Sequence, residues 1–416
     1  MKILIYTDCF YLAGSERFPL ELLRHSLSDG DVNIILSYRF SKKYQRDLEG
    51  EGIPITATRN FYFPDLSFQD FFNNYSGDLK FLYRAFAFTI RIFLFYPLYI
   101  YQVWRFYFYL RSAGFDLVHI NNGGIPGALS CRAMALACKL VGLQCLMTVN
   151  NLPRARNLFF YYEYLTINLA SRCVDAFITS SDYASKRLKE YLDNIFEMPR
   201  TFIVLRNGIN LERLIVNEDG SSIKTAPRGA VNVGYIGNLE ERKGVPVLLR
   251  AVKILTLTSS LPQNVRFVVY GNGPEYKKLG KLIISLGLES IVFIDPRRHL
   301  IRDILKGIDV LVVPSVGYED FPNIVLEGMA TGKLVIGSNF GGISEQIVHQ
   351  HNGLLFESGN PAALACSLSV AATDQTIRDR VGRQAQRDIW ENYAMNVSYS
   401  RYIDVLRSMT KPKGSI

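Results

Sequence analysis

Residues 310–332 read VLVVPSVGYEDFPNIVLEGMATG, a β-branched run followed by a loop and a helical pattern. Pro322 stands where the helix would begin, because proline suits the first helical turn, and Gly332 stands where it would end. The loop would deliver Glu319 to the carboxyl end of the strand, while Glu327 lies inside the helix. Carboxylates suit the vicinal hydroxyls of a ribose or hexose, and free amides at a helix start suit oxygen-rich ligands. The stretch therefore predicts a strand, loop and helix that carry two glutamates to a binding site.

The same alternation of short β-rich runs and helical patterns extends in both directions, which is typical of parallel sheets with helices on both faces. A polar stretch from Asn217 to Gly229 interrupts the alternation and is typical of a linker. We therefore predict an α/β chain of two doubly wound domains facing across a cleft, which is the expected site. The predicted parts are a first domain at 1–210, a linker at 211–229, a second domain at 230–385 and a C-terminal helix at 386–416. That helix is a candidate to return to the first domain. Most of it belongs to a long helical pattern that runs from about Pro361 to Met409.

The predicted strands of the first domain are Lys2–Thr7, Val32–Leu36, Asp116–Ile120, Gln144–Val149, Ala176–Thr179 and Phe202–Leu205. Those of the second domain are Val231–Ile236, Arg266–Tyr270, Ile291–Ile294, Asp309–Val313 and Leu334–Ile336.

The length and composition of the chain indicate a folded protein of more than one domain. A chain of 416 residues exceeds the size of one hydrophobic core, and 48% hydrophobic with 20% charged residues indicates a folded chain rather than a disordered one. The net charge of +9 suits an anionic partner without choosing among nucleotide diphosphates, lipid headgroups and nucleic acid. The N-terminal apolar run Ile3–Tyr6 is too short for a signal peptide, so we expect the protein to remain in the cytoplasm.

The stretch that contains both glutamates resembles the E-x7-E signature of family 4 glycosyltransferases, a retaining family with the GT-B fold of two Rossmann-like domains. The resemblance implies that Glu319 faces the donor sugar in catalysis, and that Glu327 contacts the donor ribose. It also places Phe321, Pro322 and Asn323 in the donor site. The alternative is an ordinary strand, turn and helix with two solvated glutamates.

A second block, Gly234–Gly244 (GYIGNLEERKG), resembles the family's G-R-L-x-x-x-K-G loop, whose Arg and Lys neutralise the donor diphosphate. Lys243 matches the lysine, and the resemblance gives it a catalytic and donor-binding role beside Gly237. Asn238 replaces the arginine, so Arg242 would compensate only if the loop turns it inward. A solvated charged turn is the alternative.

Weaker resemblances complete the predicted donor site. The segment Gly271–Pro274 (GNGP) is similar to the family's G-x-G-P turn and implicates Gly271 and Gly273, although any tight turn favours glycine. Gly14 belongs to a glycine loop that would approach the donor phosphates. The family commonly has a histidine where this chain has Asn150, so Asn150 is predicted to hydrogen-bond the donor sugar without acting as an acid or base. His119 lies inside a strand run and is predicted to be a satisfied core histidine.

Metal sites are not expected. The Asp29–Asp31 segment has the Asp-x-Asp spelling of metal-dependent glycosyltransferases, but it precedes a strand and is typical of a turn. Cys131, Cys138 and Cys145 repeat every seven residues, which on a helix separates neighbours by roughly 10 Å. That spacing is too wide for a shared zinc and indicates buried structural cysteines. We therefore predict a site with no cofactor or metal, in which Lys243, Arg242 and helix N-termini balance the phosphate charge.

An aromatic and cationic insert occupies residues 79–115, which contain no acidic residue. Its longest uncharged stretch, which runs from Ile92 up to Arg105, is shorter than the roughly 20 residues of a membrane-spanning helix. Helices broken at Pro97 would align its cations on one face among the aromatics, which predicts contact with an anionic membrane surface. A helical pair packed on the first sheet is the alternative. The residues predicted to bind membrane or acceptor are Arg84, Arg91, Trp104 and Arg105, beside Lys80 and Arg111.

The combined prediction is a retaining, metal-independent glycosyltransferase of the hexosyltransferase type that uses a nucleoside-diphosphate sugar. Its acceptor would be a glycan or lipid-linked molecule in surface polysaccharide or glycolipid biosynthesis, at the cytoplasmic face of the inner membrane. Nucleic acid is not an expected partner. Two alternatives remain, a nucleotide-sugar epimerase of the same fold and a nucleotide-sugar-binding relative that has lost turnover.

Overall fold

A computed structural model describes most of the chain, with the backbone alone at residues 80–87. The described ranges are 1–12, 14–63, 80–125, 127–151, 162–193, 201–214, 230–262, 264–297, 299–317 and 319–410. The predicted linker from Asn217 to Gly229 lies outside them, as do the side chains of Lys80 and Arg84.

The chain divides into two compact units. The first consists of Met1–Thr179, Ser185–Ile203 and Tyr402–Ile416, and the second consists of Ser180–Ala184 and Val204–Arg401. The sequence placed the end of the first domain at residue 210 and a C-terminal helix at 386–416, whereas the chain passes from one unit to the other at Ser180, Ser185, Val204 and Tyr402.

The first unit is built around a seven-stranded parallel sheet with the order β3-β2-β1-β4-β5-β6-β7. All six residues of its central strand, LVHINN, are buried, as expected for a parallel strand with helices on both faces. The strands are β1 Lys2–Thr7, β2 Asn33–Arg39, β3 Thr58–Phe61, β4 Leu117–Asn122, β5 Gln144–Val149, β6 Ala176–Thr179 and β7 Thr201–Val204. The helices are α1 Gly14–Leu27, α2 Lys42–Gly50, α3 Lys80–Ala113, α4 Leu129–Val141, α5 Tyr164–Cys173 and α6 Asp182–Asp193.

The second unit contains a six-stranded parallel sheet with the order β10-β9-β8-β11-β12-β13. Its strands are β8 Val231–Ile236, β9 Val265–Tyr270, β10 Val292–Asp295, β11 Val310–Val313, β12 Leu334–Ser338 and β13 Leu354–Phe356. The helices are α7 Val245–Leu257, α8 Tyr276–Leu286, α9 Ile301–Gly307, α10 Asn323–Ala330, α11 Ile343–Gln346, α12 Pro361–Thr373, α13 Gln375–Asn392 and α14 Met395–Met409. Short 3-10 turns occur at Ile55–Ala57 and Glu241–Lys243. The predicted fold of two doubly wound parallel sheets is confirmed.

Two strands and two helix breaks were not predicted. β3 (TRNF) has only one apolar residue, and β13 (LLF) has only three residues. The long helical pattern from Pro361 is three helices, because Asp374 accepts a hydrogen bond from the Ile377 amide and starts α13, and α13 ends before Tyr393. Periodicity continues across these breaks although the backbone does not.

Helix α3 runs unbroken through Pro97, so the predicted break is wrong. Pro97 lies on the exposed side, where the carbonyl that loses its helical partner can meet water. The opposite side packs into the core of the first unit and keeps the helix continuous. Its buried residues are Phe95, Tyr99, Val103, Phe106 and Leu110.

His119 connects strand β4 with the last helix. Its Nδ1 lies 2.8 Å from the Tyr402 hydroxyl and its Nε2 lies 2.6 Å from Thr148 Oγ1. Burial lowers the pKa of His119 to about 4, so the ring is neutral at pH 7. The prediction of a satisfied core histidine is confirmed, and Tyr402 attaches α14 to the first unit.

Two further predictions hold. Cys131, Cys138 and Cys145 are buried free thiols, although Cys145 lies on β5 and only the other two lie on the helix α4. The Asp29–Asp31 segment is a turn, in which the Asp29 carboxylate accepts a hydrogen bond from the Asp31 amide at 2.9 Å.

Candidate functional site

Two loops at the carboxyl ends of β8 and β11 are held together in the second unit. The Arg242 carbonyl accepts a hydrogen bond from the Val316 amide at 2.8 Å. Gly244 has φ +70°, and a Cβ there would lie 1.8 Å from the Pro314 carbonyl oxygen, so only glycine permits this approach. The loop of Lys243 is therefore fixed against the loop of Glu319.

Glu319 is the centre of this contact, and its side chain is 7% exposed. Its Oε1 accepts a hydrogen bond from Ser315 Oγ at 3.0 Å, pairs with the Lys243 ammonium and lies 3.3 Å from Arg242 Nη1. Arg242 also pairs with Glu240, with 2.7 Å between Nε and Oε2. The loop thus turns Arg242 toward Glu319, which is the inward orientation that Arg242 would need to compensate for the arginine absent at Asn238.

Asp320 adds a second carboxylate that sequence reasoning did not select. Both of its carboxylate oxygens are buried and have no hydrogen-bond partner among the residues that the structure describes. The pKa of Asp320 is raised to about 7, mainly by burial and also by the negative charge of Glu319, while Arg242 opposes the shift. The available signal was an acidic residue directly after Glu319.

The glycines of the β8 and β9 turns pack against each other. A Cβ at Gly271 would lie 1.9 Å from the Gly237 carbonyl oxygen, and one at Gly273 would lie 2.5 Å from the Leu239 carbonyl oxygen. The Leu239 amide donates to the Asn272 carbonyl at 2.9 Å, which joins the two turns. The close packing of the two turns therefore requires glycine at these positions whether or not a ligand is bound.

Helix α10 begins where the motif predicted. Pro322 is its N-cap residue, Asn323 is its first residue, and Gly332 lies in the left-handed region just beyond its end. Phe321 is buried with its ring 5.8 Å from that of Tyr393 and acts as a core residue. Asn323 and Glu327 are half-buried on the helix. The structure thus brings Lys243, Arg242 and Glu319 into contact, with α10 following directly.

In the first unit, Gly14 opens α1. A Cβ at Gly14 would meet no heavy atom within 4 Å, so packing does not require glycine there. Glu16 is buried and accepts hydrogen bonds from Thr7 Oγ1 at 2.9 Å, Tyr44 Oη at 2.8 Å and Asn121 Nδ2 at 2.7 Å. Burial raises the pKa of Glu16, and these hydrogen bonds oppose the shift. Glu16 thus connects β1, α1, α2 and β4.

Asn150 follows β5 and is oriented by the neighbouring strand. Its Nδ2 donates to Asn121 Oδ1 at 2.7 Å and to the Asn122 carbonyl at 3.1 Å. Because the nitrogen makes both contacts, the side chain has one defined orientation. Within the described ranges, no group of three or more His, Cys, Asp or Glu residues is arranged to hold a metal ion.

The outer side of α3 carries a stripe of exposed apolar side chains. Phe93 is 79% exposed, Ile100 55%, Trp104 58% and Phe108 56%. We call these four residues the aromatic stripe. Among the described residues, no helix combines the length and the apolar character needed to cross a membrane.

The predicted cations of α3 do not share one environment. Arg105 and Arg111 are exposed beside the stripe and lie over the rings of Tyr101 and Tyr107. Arg91 instead pairs with Glu163, with 3.4 Å between Nη2 and Oε1. The expected single row of arginines is therefore wrong at Arg91, because a buried carboxylate from outside the insert attracts it.

Residues 221–388 match the family described as Glycosyl transferases group 1. An uncharacterized glycosyltransferase of Methanocaldococcus jannaschii is 32% identical over 221 residues, covering 50% of this chain and 55% of that protein. The D-inositol 3-phosphate glycosyltransferase of Corynebacterium efficiens is 30% identical over 190 residues, covering 44% of this chain and 43% of that protein. The chain thus spans about half the length of these two relatives.

One solved structure is similar to this chain over almost its whole length. Anabaena HepE in complex with UDP has a TM-score of 0.72 at 19% identity, covering 98% of this chain and 100% of that chain. The present chain therefore has the GT-B fold, and its residues 221–388 are similar to the glycosyl transferases group 1 family.

Proposed function

We propose that this protein is a retaining, metal-independent glycosyltransferase that moves a hexose from a nucleoside-diphosphate sugar to a glycan or lipid-linked acceptor. The observation that carries the proposal is the meeting of Lys243, Arg242 and Glu319 at the carboxyl ends of β8 and β11. Ligands of open parallel sheets bind at these strand ends. Two cations beside one carboxylate suit a donor that is anionic at the diphosphate and rich in hydroxyls at the sugar.

In the proposed chemistry, Lys243 changes partner from Glu319 to the donor diphosphate. Glu319 then accepts hydrogen bonds from sugar hydroxyls, and Arg242 adds positive charge near the departing phosphates. The bond between the anomeric carbon and the diphosphate oxygen breaks while the bond to the acceptor oxygen forms on the same face. The acceptor proton passes to a phosphate oxygen of the leaving nucleoside diphosphate. No residue has to act as a base, which agrees with Asn150 in place of a histidine.

The remaining predicted residues take supporting roles in the proposal. Glu327, on α10, would bind the donor ribose, and the backbone at Gly14 would approach the phosphates. Asn150 would accept a hydrogen bond from the sugar through Oδ1, because its Nδ2 is engaged by Asn121 and Asn122. The structure of HepE with UDP supports a uridine nucleotide as the first donor to test.

The experiment is a transfer and hydrolysis assay of the full chain with UDP-glucose and other nucleotide sugars, with and without EDTA. We expect release of UDP, retention of anomeric configuration in the product and no effect of the chelator. A product epimerised at the sugar would identify an epimerase. Binding without any turnover would identify a non-catalytic relative, and activity restored only by Mn²⁺ would refute metal independence.

The aromatic stripe supports a membrane-borne acceptor at the cytoplasmic face of the inner membrane, in surface polysaccharide or glycolipid synthesis. Large apolar side chains this exposed, next to Arg105 and Arg111 and without acidic neighbours in the insert, suit the boundary between headgroups and acyl chains. Each arginine near an anionic surface contributes on the order of 1 kcal/mol, which salt screens.

Vesicle sedimentation tests this assignment. Arg105→Glu with Arg111→Glu should release the protein from anionic vesicles at low salt, and Phe93→Ser with Trp104→Ser should remove the part of binding that resists salt. The matched control is Lys186→Glu with Lys189→Glu, the same charge change at exposed sites of α6. Equal binding by all variants, or no binding by the wild type, would withdraw the membrane-borne acceptor and leave the sugar transfer in place.

A further inference from the structure

A second concave site lies in the second unit, away from the loops that contain Lys243 and Glu319. Lys333 stands directly before β12, and Arg302 and Lys306 lie on α9, which leads into β11. These positions belong to the amino ends of the strands, whereas the loops of the proposed donor site follow the carboxyl ends. The proposed transfer reaction therefore makes no use of this cavity.

The cavity has a volume of about 220 Å³. One wall is apolar and consists of Leu211, Leu214 and Trp390, whose side chain is 47% exposed. The rest includes three cations and, among the described lining residues, no carboxylate. Arg302 is 44% exposed with Asp303 3.7 Å away, and no described carboxylate forms a salt bridge with Lys306 or Lys333.

The walls are held by contacts that keep the shape of the cavity. Gln386 Nε2 on α13 donates to the Ala330 carbonyl at the end of α10, at 3.1 Å. Lys333 is half-buried, and this burial lowers the pKa of its ammonium while Asp309 opposes the shift. A cation that is partly removed from water gains from an anionic partner more than a fully solvated one does.

The apolar wall and the three cations together indicate which kind of ligand the cavity binds. An exposed indole beside two leucines presents a flat apolar surface, which suits the C–H face of a pyranose ring. Arginine and lysine suit a phosphate or carboxylate at the edge of that ring. The volume of about 220 Å³ is below the roughly 300–1,000 Å³ of drug-sized sites, so one ring with its anionic group is the fitting size.

We infer that the cavity lined by Trp390, Arg302, Lys306 and Lys333 binds an acidic sugar residue, a monosaccharide unit that bears phosphate or carboxylate. This inference goes beyond the proposed sugar transfer. A glycan with acidic units would be held by the second unit at a site separate from the reacting one.

Tryptophan fluorescence provides a direct readout, since the chain has two tryptophans. In the Trp104→Phe protein only Trp390 reports. Glucose 6-phosphate is the probe, with glucose, inorganic phosphate and uridine monophosphate as comparisons, each titrated with and without UDP. We expect a saturable change with glucose 6-phosphate that persists in UDP, and at least about tenfold weaker binding of glucose and of phosphate.

Variants separate this cavity from the donor site. Arg302→Gln with Lys306→Gln should weaken binding of glucose 6-phosphate about tenfold. The control Arg250→Gln with Lys281→Gln removes the same charge at exposed sites of α7 and α8 and should leave binding unchanged. In Trp390→Leu, calorimetry measures binding of glucose 6-phosphate without fluorescence, and binding should be weaker if the indole stacks on the sugar ring. Circular dichroism verifies that each variant is folded.

The inference is overturned if Trp390 fluorescence does not saturate, if the Arg302 and Lys306 variant binds as the wild type does, or if UDP abolishes the signal. Tighter binding of uridine monophosphate than of glucose 6-phosphate would also overturn it, because the cavity would then be a nucleotide site. If the wild type binds the probe but does not turn over any UDP-sugar, only the proposed function is refuted. If it turns over a UDP-sugar but does not bind the probe, only the inference about this cavity is refuted.

Discussion

The carboxylate of Glu319 and the ammonium of Lys243 form an ion pair although they belong to loops that follow different strands, β11 and β8. Each is the other's charge partner, and Ser315 and Arg242 share the same carboxylate oxygen. Removing either side chain therefore alters the charge that remains, as well as the contact with a ligand.

Lys243→Ala is expected to lower both donor affinity and turnover, because the ammonium would bind the diphosphate before and during its departure. A fall in kcat/KM on the order of 100-fold is typical for loss of one group that stabilises developing charge. Initial rates over a range of donor concentration measure it. Lys277→Ala, an exposed lysine on α8, is the control, and wild-type kinetics in Lys243→Ala would remove this residue from the site.

Glu327→Ala and Glu319→Ala are expected to change different kinetic constants. A ribose contact is equally strong in the ground and transition states, so Glu327→Ala should raise KM with little change in kcat. Glu319→Ala should chiefly lower kcat, since Glu319 would contact the reacting sugar and its hydrogen bonds would strengthen in the transition state. Steady-state kinetics with one purified donor separates the two, and the same pattern in both variants would contradict the assigned roles.

Gly271→Ala is expected to destabilise the second unit by about 1–3 kcal/mol and to weaken donor binding. The new Cβ would lie 1.9 Å from the Gly237 carbonyl oxygen, so the two turns must separate. Gly280→Ala is the matched control, because a Cβ there meets nothing within 4 Å in the middle of α8, and it should stabilise by about 0.5–1 kcal/mol. Urea unfolding compares the three proteins, and equal midpoints would argue against the close packing of the turns.

Asp320→Asn is expected to change how stability depends on pH. The pKa of Asp320 is about 7 when folded, above the usual 3.8, so the folded protein retains a proton that the unfolded chain releases. Wild-type stability should therefore fall as pH rises from about 4 to about 7 and then level off. The asparagine variant lacks this loss and should be more stable at pH 8, on the order of 1–3 kcal/mol.

Urea unfolding at pH 4.5, 6 and 8 tests the Asp320 prediction. Asp404→Asn, at an exposed position on α14, is the control and should follow the wild type at every pH. A constant difference between Asp320→Asn and wild type across this range would show that the carboxyl titrates normally.

Tyr402→Phe is expected to destabilise the first unit by about 1–3 kcal/mol, because buried His119 Nδ1 would lose its partner at 2.8 Å. Tyr276→Phe, at an exposed tyrosine of α8, should have little effect. Protection of β4 amides from hydrogen exchange is the measurement, since β4 contains His119. Unchanged protection would show that the stability of β4 does not depend on this contact.

Local patterns in the sequence determined the fold class and much of the candidate site. The 310–332 stretch predicted β11, the start of α10 at Pro322 and its end before Gly332, because caps and turns depend on neighbouring residues. Glu319, Glu327 and Lys243 were found through motifs that are contiguous in the chain. The core position of His119 also followed from its place in a strand.

Tertiary structure decided what depends on distant residues. It brings Lys243 to Glu319, buries Asp320, turns Arg91 toward Glu163 and joins α9 and α13 around the cavity of Trp390. It also holds α3 continuous at Pro97, where local propensity predicted a break. The physical reason is that propensity and periodicity act over a few residues, whereas these contacts arise from the order of strands in each sheet and from packing between helices remote in sequence.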